Sequence, residues 1–349
     1  MMKYLSKFKH IAPWCIATGI FVWLFHVYPP ARVWEAVTMV NVPAFVAFAI
    51  AYFVLLLICD SWSMTKVIGE FSHPVKFSDV LAARGATYPV MVLNYPASQA
   101  AFAYYLKRRY GIPIFQALGI FFFIVVIDLL WIISLALAGS VFQDYSIAGI
   151  SLDRTVQTVA IAAYSSLVLW IAFWRRWPEK LLGRPLRPRF IERLRGRSIF
   201  HIFERARAAD YLRVALMRTP IHVMIVFSMY LVLHTFNADI PFTKILGNIP
   251  IVFFVGTLPI TPGGLGTTNA MMVEMLSPYL TGQLVESGRI SAKELVFAAT
   301  LLWMFANYVL KVAVGTVFLK RVSSELFRPT PEVPEELAEQ DAAHVGGNL

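Results

Sequence analysis

The stretch Leu258-Pro-Ile-Thr-Pro-Gly-Gly-Leu-Gly-Thr-Thr-Asn-Ala270 interrupts a hydrophobic region that otherwise reads as membrane-embedded. Two prolines, Pro259 and Pro262, cannot continue a helix. Three glycines permit backbone angles that other residues avoid, namely Gly263, Gly264 and Gly266. Non-helical backbone at bilayer depth is tolerated only where protein buries it or where it lines a watery cavity. The stretch therefore predicts a break in a membrane helix beside a binding site.

The residues after this break favour the start of a new helix. Thr267, Thr268 and Asn269 are good N-cap types, and the following residues predict a helix that begins at Ala270. A helix N-terminus within a membrane presents free N–H groups and the positive end of a dipole. The commonest anionic ligand there is a lipid head group. We therefore predict a head-group site at Pro259, Pro262, Gly263, Gly264, Gly266, Thr267, Thr268 and Asn269.

Composition places the chain among multi-pass membrane proteins. Of its 349 residues 58% are hydrophobic and only 15% are charged, which is far from a soluble globular profile. Six apolar runs are close to the ~20 residues that cross a bilayer. They cover residues 11–28, 43–59, 114–139, 155–174, 220–236 and 295–319. We therefore predict an all-α protein with about six spanning helices.

A second broken segment lies between the second and third runs. Residues 88–106 are apolar but interrupted at Asn94 and Pro96, and three basic residues follow at 107–109. The segment is too interrupted to span as one helix, so we predict a re-entrant hairpin, in which Pro96, Ser98 and Gln99 are further candidate head-group contacts. The alternative is that one of the two hairpins is an ordinary pair of short spans.

The distribution of basic residues predicts the orientation. Lys3, Lys7 and Lys9 precede the first run, and residues 175–218 hold thirteen basic residues against four acidic ones, a net charge of +9. Both termini are then cytoplasmic, and each hairpin enters and leaves on one side. This divides residues 1–322 into two inverted repeats, about 10–140 and 155–320, as in many transporters. Residues 323–349, rich in Pro and Glu, predict a disordered acidic tail.

Two charged residues lie inside predicted spans. Asp128 occupies the middle of the third run, and Lys311 occupies the sixth, on the same helix face as Asn307. A charge in hydrocarbon is costly unless it is paired or hydrated, so either these two residues face each other or each faces a cavity. A structural brace and a substrate or proton role are both open. Glu274 is a weaker candidate beyond the second hairpin.

The basic loop at 175–218 offers a second way to contact lipid. Its apolar residues recur at near-helical spacing, which is typical of a basic amphipathic helix on an anionic leaflet. These residues are Phe190, Ile191, Leu194, Ile199, Phe200 and Phe203. The alternative is a solvated loop that only obeys the orientation rule. No fold motif supports nucleic-acid binding, and no motif or spacing indicates a metal, a cofactor or a catalytic centre, so we expect no enzyme activity.

The stretch from Leu258 to Ala270 resembles the LPxxPGGLGxxEA signature of the lysylphosphatidylglycerol synthase transmembrane-domain family, whose members are flippase-like. The first hairpin, the basic residues after it and the span with Asp128 are similar to an earlier motif of that family. The resemblance implies an integral membrane domain that moves or handles phospholipids or lipid-linked intermediates. Some family members are also fused to a soluble aminoacyl-transfer domain, which we do not expect in this protein.

Three departures from the family pattern affect the site. Family members usually carry Glu at the position of Asn269 and Gly-Glu near Ser98 and Gln99, so both hairpins here hold an amide in place of an acid. Arginines common in the third spans of the family are replaced by apolar residues near Val125 and Met304. The resemblance therefore implies a different or less charged head group for this member.

A lipid translocase in the cytoplasmic membrane is the leading functional hypothesis. Its two hairpins would meet near the midplane and give a head group a polar path. The alternatives are a membrane enzyme or enzyme subunit that acts on lipid head groups, and a scaffold that recruits a partner to anionic lipid through the basic loop.

Overall fold

The computed structural model describes residues 2–141, 146–147, 150–175, 197–257, 260–261 and 264–326. Thirteen α-helices dominate this part of the chain. They are α1 (Met2–Val27), α2 (Pro30–Thr38), α3 (Val42–Phe71), α4 (Phe77–Leu93), α5 (Tyr95–Tyr110), α6 (Ile114–Ser140), α7 (Leu152–Trp174), α8 (His201–Arg205), α9 (Ala208–Thr235), α10 (Phe242–Thr257), α11 (Thr267–Leu276), α12 (Gln283–Glu286) and α13 (Ala292–Leu326). Among the same residues, the strands are two short antiparallel ones, β1 (Ser146–Ile147) and β2 (Ile150–Ser151).

Five helices in these ranges are long and apolar enough to cross a membrane, namely α3, α6, α7, α9 and α13. The first predicted run forms α1, which meets α2 at an angle of 81°. Pro29 and Pro30 occupy this junction, where the missing N–H of proline ends one helix and suits the start of the next. The prediction of an all-α multi-pass membrane protein with about six spans is confirmed, with the sixth supplied by this bent pair.

Several predicted boundaries are wrong because helices continue past the end of an apolar run. Helix α3 extends to Phe71 instead of ending at Cys59, and α9 begins at Ala208, so that Pro220 lies inside it. The basic loop therefore ends before residue 208 rather than at 218. Helix α13 continues to Leu326, beyond the predicted domain end at 322. The rest of the predicted tail, residues 327–349, lies outside the described residues, as do residues 176–196 of the loop.

The first predicted hairpin is formed by α4 and α5, which pack against each other and meet at Asn94. The Asn94 side chain accepts a hydrogen bond from the Ala97 N–H at 2.9 Å and so caps α5. Tyr110 closes the base of the hairpin, because its hydroxyl accepts from the Lys76 N–H at 2.9 Å and donates to Asp79 at 2.7 Å. The chain therefore turns where the sequence predicts a break.

Helix α4 lies antiparallel along one end of α13. Asp79 at the start of α4 is 3.7 Å from Arg321, and further along α4 the ring of Pro89 lies close to Gly315. A methyl group on Gly315 would be 2.2 Å from that ring, so glycine is needed at this contact. Because α4 advances as α13 recedes, the hairpin apex at Asn94 lies near the level of Lys311, inside the spanning part of α13.

The second predicted hairpin is formed by α10 and α11, and it contacts α6 and the other end of α13. A methyl group on Gly139 of α6 would lie 2.5 Å from the Cα atom of Gly247 in α10, so these helix backbones nearly touch. At the end of α11, Glu274 accepts a hydrogen bond from Lys293, near the start of α13, at 2.9 Å. The two hairpins therefore dock on opposite ends of α13.

The packing of the two chain halves is reciprocal. Helix α4 of the first hairpin packs most extensively against α13, the last span of the second half, and α10 of the second hairpin packs most extensively against α6, the last span of the first half. The two middle spans, α3 and α9, pack against each other. Reciprocal packing of this kind is expected of two repeats related by a two-fold axis, and the inverted orientation of the repeats stays a prediction.

The described end of the basic loop packs on the protein. The short 3₁₀ turn Ser198–Phe200 and α8 contact α6, and Phe203 is buried with its ring 5.6 Å from that of Phe123. Phe203 therefore does not lie on a lipid surface, and the predicted amphipathic helix is wrong for this end of the loop. Tertiary aromatic contacts account for its apolar spacing. Phe190, Ile191 and Leu194 lie outside the described residues.

Candidate functional site

A buried network of ion pairs joins four helices in the membrane region. Arg218 of α9 donates to both oxygens of Asp128 in α6, at 2.8 and 2.6 Å. Its remaining terminal nitrogen donates to Asp60 of α3 at 2.5 Å and to the Ser63 hydroxyl at 3.0 Å. Arg84 of α4 donates to the other Asp60 oxygen at 2.6 Å. Asp60, Arg84 and Arg218 are each at least 94% buried.

His222 extends this network by one turn of α9. Its Nε2 atom lies 3.0 Å from Asp128, and the ring stacks on Trp131 at a centroid distance of 5.9 Å. The Trp131 indole donates to the Ala215 carbonyl at 2.6 Å, which anchors α6 on α9 beside the network. Asp128 is thus in contact with the Arg218 guanidinium and the His222 imidazole, and Trp131 stacks on that imidazole.

Of the two alternatives for Asp128 and Lys311, the one in which they face each other is wrong. Asp128 pairs with Arg218, which we assigned to the basic loop because the apolar run begins only at Pro220. Helix α9 begins ten residues before Arg218, so this arginine lies within the helix and is buried among its neighbours. Burial of the guanidinium is tolerated because two carboxylates and a hydroxyl satisfy its donors.

Lys311 has no ion pair or hydrogen bond among the described residues. It is partly buried, it lies one helical turn before Gly315 on the face that packs on α4, and it is within electrostatic reach of Arg84. Asn307, one turn earlier, donates to the Trp303 carbonyl at 2.9 Å. Lys311 is therefore an intramembrane basic residue within electrostatic reach of a second one, Arg84.

The apex of the first hairpin brings further polar groups to this region. Tyr95 is 45% exposed and lies within electrostatic reach of Arg84, Asp60 and Asp128. Pro96 occupies the first turn of α5, and the Ser98 hydroxyl donates to the Tyr95 carbonyl at 2.7 Å. Gln99 is 94% buried, and neither its amide oxygen nor its amide nitrogen has a partner among the described residues.

The apex of the second hairpin uses glycine as predicted. Gly264 and Gly266 have φ angles of 75° and 80°, in the region that favours glycine. The Thr267 and Thr268 hydroxyls both donate to the Gly264 carbonyl, at 3.0 and 2.8 Å, so they fold back on the turn. Pro259, Pro262 and Gly263 lie outside the described residues.

Helix α11 begins at Thr267, three residues before the predicted start at Ala270. Gly266 occupies the N-cap position because its positive φ turns the chain directly into the helix. Asn269 therefore lies in the first turn, where its side-chain oxygen accepts from the Gly266 N–H at 3.3 Å. The predicted capping role of Asn269 is replaced by this bond back to the cap.

Glu274 lies at the exposed end of the same helix, paired with Lys293. Both side chains are 47% exposed, so this pair belongs to the protein surface. It fixes α11 against α13 rather than forming part of the buried network.

Asp60, Arg84, Arg218 and His222 are site residues that sequence reasoning missed. Two signals were available. Asp60 directly follows the apolar run that ends at Cys59, and Arg218 and His222 share a helix face at a spacing of four residues. Arg84 carries no such signal, because only the docking of α4 brings it to Asp60.

Comparison with known protein families supports the resemblance drawn from the second hairpin. The family model for the lysylphosphatidylglycerol synthase transmembrane region matches residues 11–315. The chain belongs to this family. No curated protein and no solved structure matches it significantly. The match covers both hairpins and every member of the ion network.

Membership in the lysylphosphatidylglycerol synthase transmembrane family makes this chain a lipid-related membrane protein. The two hairpins of this member hold the amides Gln99 and Asn269. Its intramembrane carboxylates, Asp60 and Asp128, come from the spans α3 and α6 and are both bonded to arginine.

Proposed function

We propose that this protein translocates phospholipid or lipid-linked head groups across the cytoplasmic membrane. The observation that carries the proposal is the position of the buried ion network. Arg84 of α4, in the first hairpin, bonds to Asp60 of α3. Asp60 in turn bonds to Arg218 of α9, which also bonds to Asp128 of α6. Ionised groups at this depth are costly, and in membrane proteins they mark substrate and ion pathways.

The two hairpins supply the moving parts of the proposed pathway. Each is a pair of short helices with a break, and they dock on opposite ends of α13. A head group that enters between one hairpin and α13 would reach the ion network from one leaflet, and the other hairpin would serve the opposite leaflet. Alternating access by two inverted repeats uses this geometry. The termini and the basic loop lie on the cytoplasmic side in this proposal.

Leaflet exchange in reconstituted vesicles tests the proposal. Purified protein is inserted into vesicles that contain a trace of phospholipid with a fluorescent group on one acyl chain, and the fraction accessible to an impermeant quencher is followed over time. We expect accessible lipid to exceed the one-leaflet value only in vesicles with protein, and the lipid mass to stay constant. A change of mass would instead support an enzyme, and no exchange would refute translocation.

A glycine pair provides a matched control for the hairpin's role. Gly264→Ala forces a side chain onto a φ of 75° and places its methyl group 2.8 Å from Thr268. Gly288→Ala forces the same strain at a φ of 68° but meets nothing within 4 Å, at the surface before α13. Each change costs about 1–2 kcal/mol of strain. We expect only Gly264→Ala to slow exchange severalfold, and equal slowing in both variants would show that stability alone governs exchange.

A further inference from the structure

The charges around the first hairpin do not balance. Asp60 and Asp128 supply two negative charges, which the ion pairs with Arg84 and Arg218 neutralise. Lys311 adds a third basic group with no counter-ion in the described part of the chain. The region therefore has one more basic than acidic side chain, not counting His222. A lone cation at this depth is unfavourable unless an anion joins it.

Unused hydrogen-bond donors lie on both helices of the first hairpin. One terminal nitrogen of Arg84, Nη1, has no acceptor among the described residues. Gln99 likewise has an unpartnered amide although it is 94% buried. The Tyr95 hydroxyl, at the exposed hairpin apex, lies within electrostatic reach of Arg84. Buried donors without acceptors are rare in folded proteins, so these groups point to an acceptor-rich ligand.

The same region offers no free carboxylate to a cationic head group. Asp60 and Asp128 already accept hydrogen bonds from arginine, and Gln99 is an uncharged amide. An ammonium or choline group would meet Lys311 and Arg84 without a free carboxylate to offset them. Like charges at a site disfavour the wrong ligand, and so they contribute to selectivity.

We propose that the intramembrane site selects lipids whose head group is a phosphate with net negative charge and no cationic substituent, and that Lys311 confers this selectivity. The inference rests on the proposed function in taking a lipid head group as the ligand. The phosphate oxygens accept from the Lys311 ammonium and from the unused nitrogen of Arg84, with Tyr95 at the entrance. Arg84 keeps its bond to Asp60 throughout, so the network stays intact when the ligand leaves.

Lipid binding in a neutral detergent tests the proposal without vesicles. The shift of melting temperature is titrated with phosphatidylglycerol, which is anionic, and with phosphatidylcholine of the same acyl chains, which carries a cation. We expect phosphatidylglycerol to stabilise the protein by mass action at lower concentrations than phosphatidylcholine. Equal stabilisation by both lipids would refute the selectivity.

Substitution of Lys311 assigns that selectivity to its source. Lys311→Met should weaken phosphatidylglycerol binding by about tenfold or more, the value of one charge-assisted hydrogen bond, and Lys311→Arg should retain it. Lys320→Met is the matched control, because it removes an equal charge from the exposed face of the same helix. A comparable loss of phosphatidylglycerol binding in Lys320→Met would show that any positive charge on the helix attracts the anionic lipid. That result would overturn the assignment of selectivity to Lys311.

Folding and translocation are separated by two further readouts. Without lipid, Lys311→Met should melt at or above the temperature of the wild type, because it removes a lone buried charge. Tyr95→Phe, which removes only a hydroxyl, should weaken binding severalfold, and unchanged binding would contradict the proposed entrance. Selective binding without leaflet exchange would refute the translocase alone. Exchange of both lipids at equal rates would refute the selectivity alone.

Discussion

Arg218 shows how a single residue sets the interior of this protein. Its guanidinium is 95% buried and bonds to two carboxylates from two other helices. A buried ion pair contributes little net stability compared with an apolar contact, but the removal of one partner leaves an uncompensated charge. The net stability that Arg218 contributes is therefore smaller than the stability lost on its removal, which leaves Asp60 and Asp128 without their shared cation.

Replacement of Arg218 by methionine should lower the free energy of unfolding in detergent by about 3–5 kcal/mol, because Asp128 and Asp60 lose a shared cation. Arg213→Met is the matched control in the same helix. Arg213 pairs with Glu70, but its side chain is 56% exposed, so we expect a loss of at most about 1 kcal/mol. Similar losses in chemical denaturation of both variants would show that the network is hydrated and not buried.

At the scale of elements, small residues decide how closely the hairpins approach their partner spans. Gly139 and Gly247 bring α6 and α10 together, and Gly315 admits the ring of Pro89 between α4 and α13. Small residues serve this purpose in membranes because lipid offers no hydrophobic drive for helices to associate. The close approach lets van der Waals contact hold each hairpin to its span.

Gly139→Ala should destabilise the docking of the second hairpin. The added methyl group would lie 2.5 Å from both the Gly247 Cα atom and the Leu246 carbonyl oxygen, and backbone cannot move aside as a flexible side chain can. We expect a loss of about 1–3 kcal/mol. Gly19→Ala, which meets nothing within 4 Å in α1, should be neutral or stabilise by up to about 1 kcal/mol. Thermal denaturation of both variants checks this, and an unaffected Gly139→Ala protein would mean that the helices are further apart.

At the scale of the whole molecule, the proposed function requires one orientation of the protein in the membrane, with the two hairpins serving opposite leaflets. If the basic clusters face the cytoplasm, the surface around residue 287 faces outward and residues 207 and 320 face inward. All three positions are exposed, so their accessibility reports on sidedness rather than on burial.

Single cysteines test this orientation in a Cys15→Ala, Cys59→Ala background. We expect Ser287→Cys to react with an impermeant thiol reagent in intact cells, and Arg207→Cys and Lys320→Cys to react only after the cells are opened. Labelling of Arg207→Cys in intact cells would contradict the inverted arrangement. Labelling of all three after permeabilisation is the control that each thiol is reachable.

The sequence alone determined the class of protein, the hairpin breaks and the family. Long apolar runs must form helices in a bilayer because every backbone polar group needs an internal partner. Asn94 and Gly264 mark real turns because capping and positive φ are local properties of the residue. These features depend on neighbours in sequence, so they can be read without the fold.

Only the tertiary structure decided which charges meet. Asp60, Arg84 and Arg218 lie in polar stretches that resemble loops, and they become buried because α3, α4 and α9 extend past their apolar runs and cross. The local sequence around a charged residue is the same whether its side chain pairs with another residue or is exposed to water. Its partner comes from a distant segment, and the cost of burying it is offset only when helix docking brings that segment within hydrogen-bonding distance. For the same reason, Lys311 could be recognised in the sequence as an intramembrane charge, but its lack of a partner could not.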